Sequence, residues 1–265
     1  MKGMPRIALF LCLTLLIFGG TVMVGAAGRD SDVERAALMR LYESMDGSYW
    51  FNNEGWGGPD SYCTWYGVTC DAENHVFALD LGGNLLVGQI PAEIENLAYL
   101  QRLDLSFNGL MDPLPEALGN LAQLRVLDLS NSEYCMKWCF QTLGGPIPLS
   151  LGRLSNLQVL DLSGNVFSGT IPAQLGDLAR LQTLDLSDNL VCKWVYFPPD
   201  AFVCSGGLHG IIPAELSALP LLQALSLQGN KSLCWETTAA KYWALALPQF
   251  TGPVDCSYMP LVNKQ

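Results

Sequence analysis

"LDLSGNVFSGTIPAQLGDLARLQTLDLSDN", Leu160 to Asn189, contains the phrase LDLS twice, at Leu160 and at Leu184. In each copy leucine alternates with a polar residue, the pattern of a short strand with one buried face. Extended along the chain, the pattern gives six units that begin at Val76, Leu100, Leu124, Leu157, Leu181 and Leu222. Three of the five spacings are 24 residues; the third and fifth units are longer, at 33 and 41. Leucine fills the fourth and sixth positions of every unit: Leu79/Leu81, Leu103/Leu105, Leu127/Leu129, Leu160/Leu162, Leu184/Leu186 and Leu225/Leu227. Asparagine fills the ninth position in five of them, as Asn84, Asn108, Asn165, Asn189 and Asn230; the third unit has Ser132 there, with Asn131 one residue early. Stacked about 4.8 Å apart, such strands make a parallel sheet over a continuous leucine column. The predicted fold class is an α/β repeat solenoid.

The second halves of the units read LLVGQIPAEIENLAYL, GPIPLSLGRLSNL, FSGTIPAQLGDLARL and HGIIPAELSALPLL. Together with the LDLS columns, they resemble the plant-type subclass of leucine-rich repeat proteins. The resemblance implies a right-handed superhelix with its parallel sheet on the concave face and a short second sheet outside it. Pro91, Pro148, Pro172 and Pro213 suit such an outer edge, where no ladder donor is required. The second unit departs from the pattern: LMDPLP puts Asp112 and Pro113 where glycine is expected, which argues against an outer strand there.

A solenoid must cover the open ends of its core. Trp50, Trp56 and Trp65 with Cys63 and Cys70, in YWFNNEGWGGPDSYCTWYGVTC, are similar to the plant-type N-terminal cap. Upstream, SDVERAALMRLYESM reads as an amphipathic helix, with Ser31 and Glu34 at capping-box spacing. CWETTAAKYWALALPQFTGPVDC offers a helix-prone C-terminal cap bounded by Cys234 and Cys256. The expected organisation is a signal peptide over 1–27, a cap over 28–75, six repeats over 76–233, a second cap over 234–256 and a tail over 257–265.

Lys2 and Arg6 precede an uncharged run from Ile7 to Gly28, with small residues at Val24 to Ala27 suited to a signal peptidase. That run is a cleaved signal peptide or an uncleaved anchor, and either places the remainder outside the cell. With 14 basic and 25 acidic residues the chain carries a net charge of -11, which repels nucleic acid. Beyond Cys12, eight cysteines remain, an even number that argues for disulfides in an exported chain. Their order suggests the local pairs Cys63–Cys70, Cys135–Cys139, Cys192–Cys204 and Cys234–Cys256. Eight cysteines allow 105 connectivities, and order alone does not choose among them. Two histidines on separate units and an oxidising compartment argue against a metal site, and nothing in the sequence calls for a cofactor.

The nine extra residues of the third unit and the seventeen of the fifth both enter after the asparagine column. They leave the solenoid from one edge, with bases roughly 10 Å apart, over about 133–143 and 191–207. Each carries a cysteine pair and aromatics: Tyr134, Trp138 and Phe140 in the first, Trp194, Tyr196, Phe197 and Phe202 in the second. A loop closed by a disulfide loses less entropy on binding, and Trp and Tyr are common binding anchors. The same loops would also serve as cover for the flank of the sheet.

The inner face offers a second candidate. Asp80, Asp104, Asp128, Asp161 and Asp185 repeat at the fifth position, with Ser106, Ser130, Ser163 and Ser187 two residues on and Arg102 and Arg125 at one end. Such a stripe attracts cations or basic peptides, yet LDLS is a general feature of the resembled superfamily whatever the ligand. Two carboxylates one strand apart also satisfy the spacing of a retaining glycosidase, as any aspartate ladder does, and no nucleophile motif or phosphate loop accompanies them. The resemblance points to ectodomains of receptor kinases and to secreted polygalacturonase-inhibiting proteins. The expected function is therefore extracellular, non-enzymatic recognition of a protein, a peptide or a glycan, as a co-receptor, decoy or hydrolase inhibitor. A membrane is involved only if the N-terminal segment stays as an anchor. A structural wall or matrix protein is the alternative; the exposed column Arg102, Val126, Val159, Thr183 and Ala224 lacks the regular array such a role needs. The sequon Asn230-Lys231-Ser232 falls in the asparagine column, so Asn230 is expected to point inward and stay unmodified.

Overall fold

The computed structural model describes residues 31–131, 142–195, 201–205, 207–230 and 233–253; for residue 112 and for 191–195 and 201–205 it describes the backbone alone. The expected signal segment, the loop holding Tyr134, Cys135, Trp138, Cys139 and Phe140, the residues Tyr196 and Phe197, and Cys256 lie outside the described residues. No helix among those described is long and apolar enough to cross a membrane.

The main sheet has eight strands. Six come from the repeats, Val76–Asp80, Arg102–Asp104, Val126–Asp128, Val159–Asp161, Thr183–Asp185 and Ala224–Ser226, parallel and in register. Each cap adds one more: Val68–Cys70 pairs antiparallel with the first repeat strand, and Gln249–Thr251 pairs parallel with the last. The repeat count does not foresee these two strands. An open sheet edge presents unpaired N–H and C=O groups, and a strand from the neighbouring cap occupies them. The leucine column is sealed, with Leu79, Leu103, Leu127, Leu160, Leu184 and Leu225 all fully buried.

The outer ladder also forms. Val87–Gly88 pairs with Gly109–Leu110, Asp112–Pro113 with Leu143–Gly145, Val166–Phe167 with Gly144 and Gly145, and Gly210–Ile212 with Leu233–Trp235. The second unit therefore has its outer strand, contrary to expectation. It is split: Gly109–Leu110 faces back to the first unit and Asp112–Pro113 forward to the third. Met111 N still donates to Gly88 O at 2.8 Å across the break, and a proline in a short edge ladder loses no required donor. In the repeats a 3-10 turn follows the outer segment and begins after a proline, as at Ala92–Asn96 after Pro91 and Ala173–Asp177 after Pro172.

Asparagines tie the coils together. Asn108 Oδ1 accepts from Asn84 N and Leu86 N, while its Nδ2 donates to Leu81 O, Leu105 O and Ser106 O. Asn230 points inward as expected, with Nδ2 donating to Leu186 O at 2.7 Å, Leu227 O and Gln228 O. Its buried Oδ1 finds no donor among the described residues. The unit before it leaves the repeat frame at Val191, the position whose equivalents Leu86 and Phe167 supply an N–H.

The N-terminal cap opens with a helix at Asp32–Ser44 that buries Glu34, Ala37, Leu38 and Leu41. Ser31 Oγ accepts from Glu34 N at 3.4 Å, but the reciprocal half of the capping box is absent. Glu34 instead accepts from Tyr62 Oη at 2.7 Å and from Val76 N at 3.2 Å, so the carboxylate is spent on the junction with the first repeat. Behind the helix the three tryptophans form one cluster: Trp56 lies 4.9 Å from Trp50, 5.0 Å from Trp65 and stacks on Tyr42 at 5.9 Å. Cys63 and Cys70 are disulfide-bonded, with Cα atoms 5.5 Å apart. At the other end a helix at Thr238–Leu245 is capped by Thr237, and Trp235 Nε1 donates to Pro253 O at 2.9 Å. Cys234 is disulfide-bonded.

Candidate functional site

Parallel register places Asp80, Asp104, Asp128, Asp161, Asp185 and Ser226 side by side on the inner face. From the second to the fifth unit, each carboxylate is held by its own serine. Asp104 Oδ1 accepts from Ser106 Oγ at 2.7 Å, Asp128 Oδ1 from Ser130 Oγ at 2.7 Å, Asp161 Oδ1 from Ser163 Oγ at 2.6 Å and Asp185 Oδ1 from Ser187 Oγ at 2.6 Å. The serine backbone N–H donates to the same oxygen. The second oxygen remains available. Arg102 takes it at one end only, with Nη2 donating to Asp104 Oδ2 at 2.8 Å while Nε donates to Asp80. Arg125, expected to share this work, makes no ion pair among the described residues. Asp128, Asp161 and Asp185 therefore form an unneutralised run.

The middle member shows the consequence. Burial pushes the Asp161 carboxyl above its ordinary range; the Ser163 hydrogen bonds oppose this, and the charges of Asp185 and Asp128 add to the rise. No partner base, nucleophile or metal-holding cluster stands beside it among the described residues. His75 sits at the cap junction, stacked on Tyr99 at 3.8 Å with Nδ1 3.5 Å from Glu34. His209 directly precedes the outer strand Gly210–Ile212, its backbone N–H donating to Gly169 O. The arrangement can attract and orient a cationic group.

The second candidate surface is the edge beyond the asparagine column. Val191–Val195 and Ala201–Ser205 form an antiparallel hairpin that is a sheet of its own. Its register sets Cys192 opposite Cys204 and Trp194 opposite Phe202. These pairs are two residues apart, so they share one face of the ribbon. The first insertion, which follows Asn131 in sequence, lies almost wholly outside the described residues.

Sequence reasoning missed the apolar groups at the cap end of this edge. Tyr49, Phe51, Leu85 and Phe107 are exposed at 78%, 82%, 61% and 55%. A signal was present for Phe107, which stands in a column otherwise holding Gly83, Asn131, Gly164, Asp188 and Gly229, all glycine or small polar residues.

Residues 31–71 match the family described as Leucine rich repeat N-terminal domain, and residues 99–121 and 148–191 match families described as Leucine rich repeat. Among solved structures, the chain is similar to the BIR2 ectodomain from Arabidopsis thaliana, at 32% identity over 78% of this chain and 96% of that one, with a TM-score of 0.58. It is also similar to the ectodomain of the Arabidopsis receptor kinase HAESA in complex with the IDA peptide hormone, at 26% identity over 84% of this chain and 34% of that one, TM-score 0.61. With PEPR1, in its structure with AtPEP1, identity is 25% over 77% of this chain and 25% of that one, TM-score 0.60. The chain thus spans a quarter to a third of the PEPR1 and HAESA chains and nearly all of the BIR2 ectodomain.

Proposed function

Because the chain belongs to the leucine-rich repeat family and carries the N-terminal domain of its plant-type members, we propose that it is a secreted extracellular recognition protein that binds a peptide or protein and catalyses nothing. One observation carries this reading. Among the described residues the hairpin at Val191–Val195 and Ala201–Ser205 pairs with itself alone, while the repeat strands on either side of it, Thr183–Asp185 and Ala224–Ser226, stay in register. The insertion is therefore dispensable for the solenoid, and its aromatic content suits a binding role. The unneutralised carboxylates on the inner face add a preference for cationic partners. The likeness to HAESA, solved with a peptide hormone, supports a peptide or protein as the ligand class.

Affinity capture from native extracellular extract tests the reading, with the secreted chain and its Trp138→Ala/Trp194→Ala variant as parallel baits. A defined partner held by the first and lost by the second supports it. Equal recovery on both baits, or none, removes the loops as the recognition site and favours a structural role in wall or matrix.

A further inference from the structure

Phe51, Leu85 and Phe107 follow one another along a single edge of the solenoid, and the backbone fixes their order. Phe51 N donates to Asn84 O at 3.0 Å, beside Leu85, and Gly83 N donates to Ser106 O at 2.8 Å, beside Phe107. All three side chains are exposed. Leu85 and Phe107 also hold positive φ angles, 60° and 54°. In the column of Phe107 three other units place Gly83, Gly164 and Gly229 at 64°, 66° and 68°, where glycine avoids the Cβ clash. A fourth places Asp188 at 55°, a residue type that tolerates this region better than phenylalanine. Two bulky apolar residues therefore sit in a strained conformation and leave their side chains in water. Neither core packing nor backbone preference among the described residues accounts for them.

The charge around this edge limits what can bind it. Asp46 and Glu54 of the cap are exposed, Asp80 and Asp104 lie on the adjoining sheet, and Asp188 stands further along the Phe107 column. Among the described residues the cation close by is Arg102, already bonded to Asp80 and Asp104. Three coils span about 10 Å, the length of about three residues of an extended chain. Such a strip anchors a short segment rather than a domain face.

We propose that the Phe51–Leu85–Phe107 edge docks an extended protein segment in which an apolar side chain is flanked by lysine or arginine, a proposal that rests on the recognition role above. The apolar group covers Leu85 and Phe107, and the flanking cation meets the exposed carboxylates of the cap, Asp46 and Glu54.

Three synthetic peptides test it by fluorescence anisotropy against the secreted chain. One alternates leucine and arginine; in the second serine replaces each leucine; in the third glutamate replaces each arginine. Wild type is expected to bind the first at least tenfold more tightly than either other. Phe107→Gly/Leu85→Gly is expected to lose that preference with a Tm equal to or above wild type, since glycine relieves the strain, so unfolding does not explain the loss. A wild type that ranks the three alike, or an edge variant that keeps its preference, overturns the proposal, while capture through the aromatic loops leaves the recognition role standing. Light scattering on both proteins reads the remaining occupant: a dimer abolished by Phe107→Gly assigns the edge to a second copy and overturns the peptide assignment.

Discussion

Glu34 and Val76 are 42 residues apart, yet the Glu34 carboxylate accepts the backbone N–H of Val76 at 3.2 Å inside the protein. Val76 opens the first repeat strand, so this bond and the Tyr62 hydroxyl on the other oxygen join the cap helix to the solenoid. Glu34→Ala leaves the buried Val76 N–H without its acceptor, while the Tyr62 hydroxyl keeps Asn74 O at 2.8 Å, and is expected to cost about 1–3 kcal/mol. Glu34→Gln keeps an acceptor for Val76 and should lose less. Urea midpoints of the two variants check this; an unchanged midpoint for Glu34→Ala would mean the cap is held by its aromatic cluster alone.

Among the described residues Asn108 makes five hydrogen bonds to three stretches of backbone. Asn108→Ala orphans buried N–H and C=O groups on two coils at once, and a loss of about 3 kcal/mol or more is expected. Asn230→Ala should cost less, because the Oδ1 of Asn230 has no donor among the described residues. Thermal unfolding of the two variants side by side decides the ranking, and equal losses would show that the acceptor half of the ladder contributes nothing.

Asn230 bears on glycosylation as well. Its Nδ2, the atom a glycan would occupy, donates to three backbone carbonyls, the shortest bond being 2.7 Å. Secreted protein from a glycosylating host is expected to show no endoglycosidase-sensitive mass, and Asn230→Gln no loss of apparent mass. A glycan found at this site would mean modification precedes folding of the last repeat.

Asp161 gives the fold a pH dependence of defined sign. In the unfolded chain this carboxyl titrates near 3.8, whereas burial between Asp128 and Asp185 raises it in the folded chain. Between those two values the folded state holds the extra proton, so this group's contribution to stability falls as pH rises through the interval. Asp161→Asn keeps an acceptor for Ser163 and removes the charge. It should flatten that fall above pH 4 and raise neutral-pH stability by on the order of 1 kcal/mol. Asp80→Asn, which deprives Arg102 of a partner, should not stabilise. A Tm series from pH 4 to 8 separates the two, and a parallel shift of both variants would remove the burial argument.

The leucine, asparagine and aspartate columns were legible because every coil buries the same positions, so the physics repeats at the period of the sequence. The strands Val68–Cys70 and Gln249–Thr251 were not, because they belong to caps and carry no LxL alternation; the open sheet edge creates the demand for them. The Asp112–Pro113 strand was misread because glycine was taken as a requirement where the neighbour's carbonyls suffice. Glu34 looked like a capping-box residue, since spacing cannot reveal that Val76 N–H lies within reach. The exposed pair Leu85 and Phe107 escaped notice because turn positions carry no hydrophobic period, and their signal is conformational.

A last column concerns how closely the coils approach. Gly119, Gly152 and Gly176 occupy one position on the outer side of successive units, in the 3-10 turns. A Cβ on Gly119 would lie 2.3 Å from Ser150 O, one on Gly152 2.5 Å from Gln174 O, and one on Gly176 2.6 Å from Glu215 Cβ. Two of these contacts are backbone oxygens, which cannot swing aside, so alanine must push neighbouring coils apart. Gly152→Ala is expected to cost about 1–3 kcal/mol, the range for overpacking a filled interior. Gly83 provides the contrast: a Cβ there meets nothing within 4 Å, but φ is +64°, so Gly83→Ala carries backbone strain alone, about 1–2 kcal/mol. The double variant Gly119→Ala/Gly152→Ala separates the mechanisms further. Spacing is shared between adjacent coils, so once one contact is forced open the next costs less, and the pair should lose less than the sum of the singles. Strict additivity in urea unfolding would mean each contact relaxes locally and the coils keep their spacing.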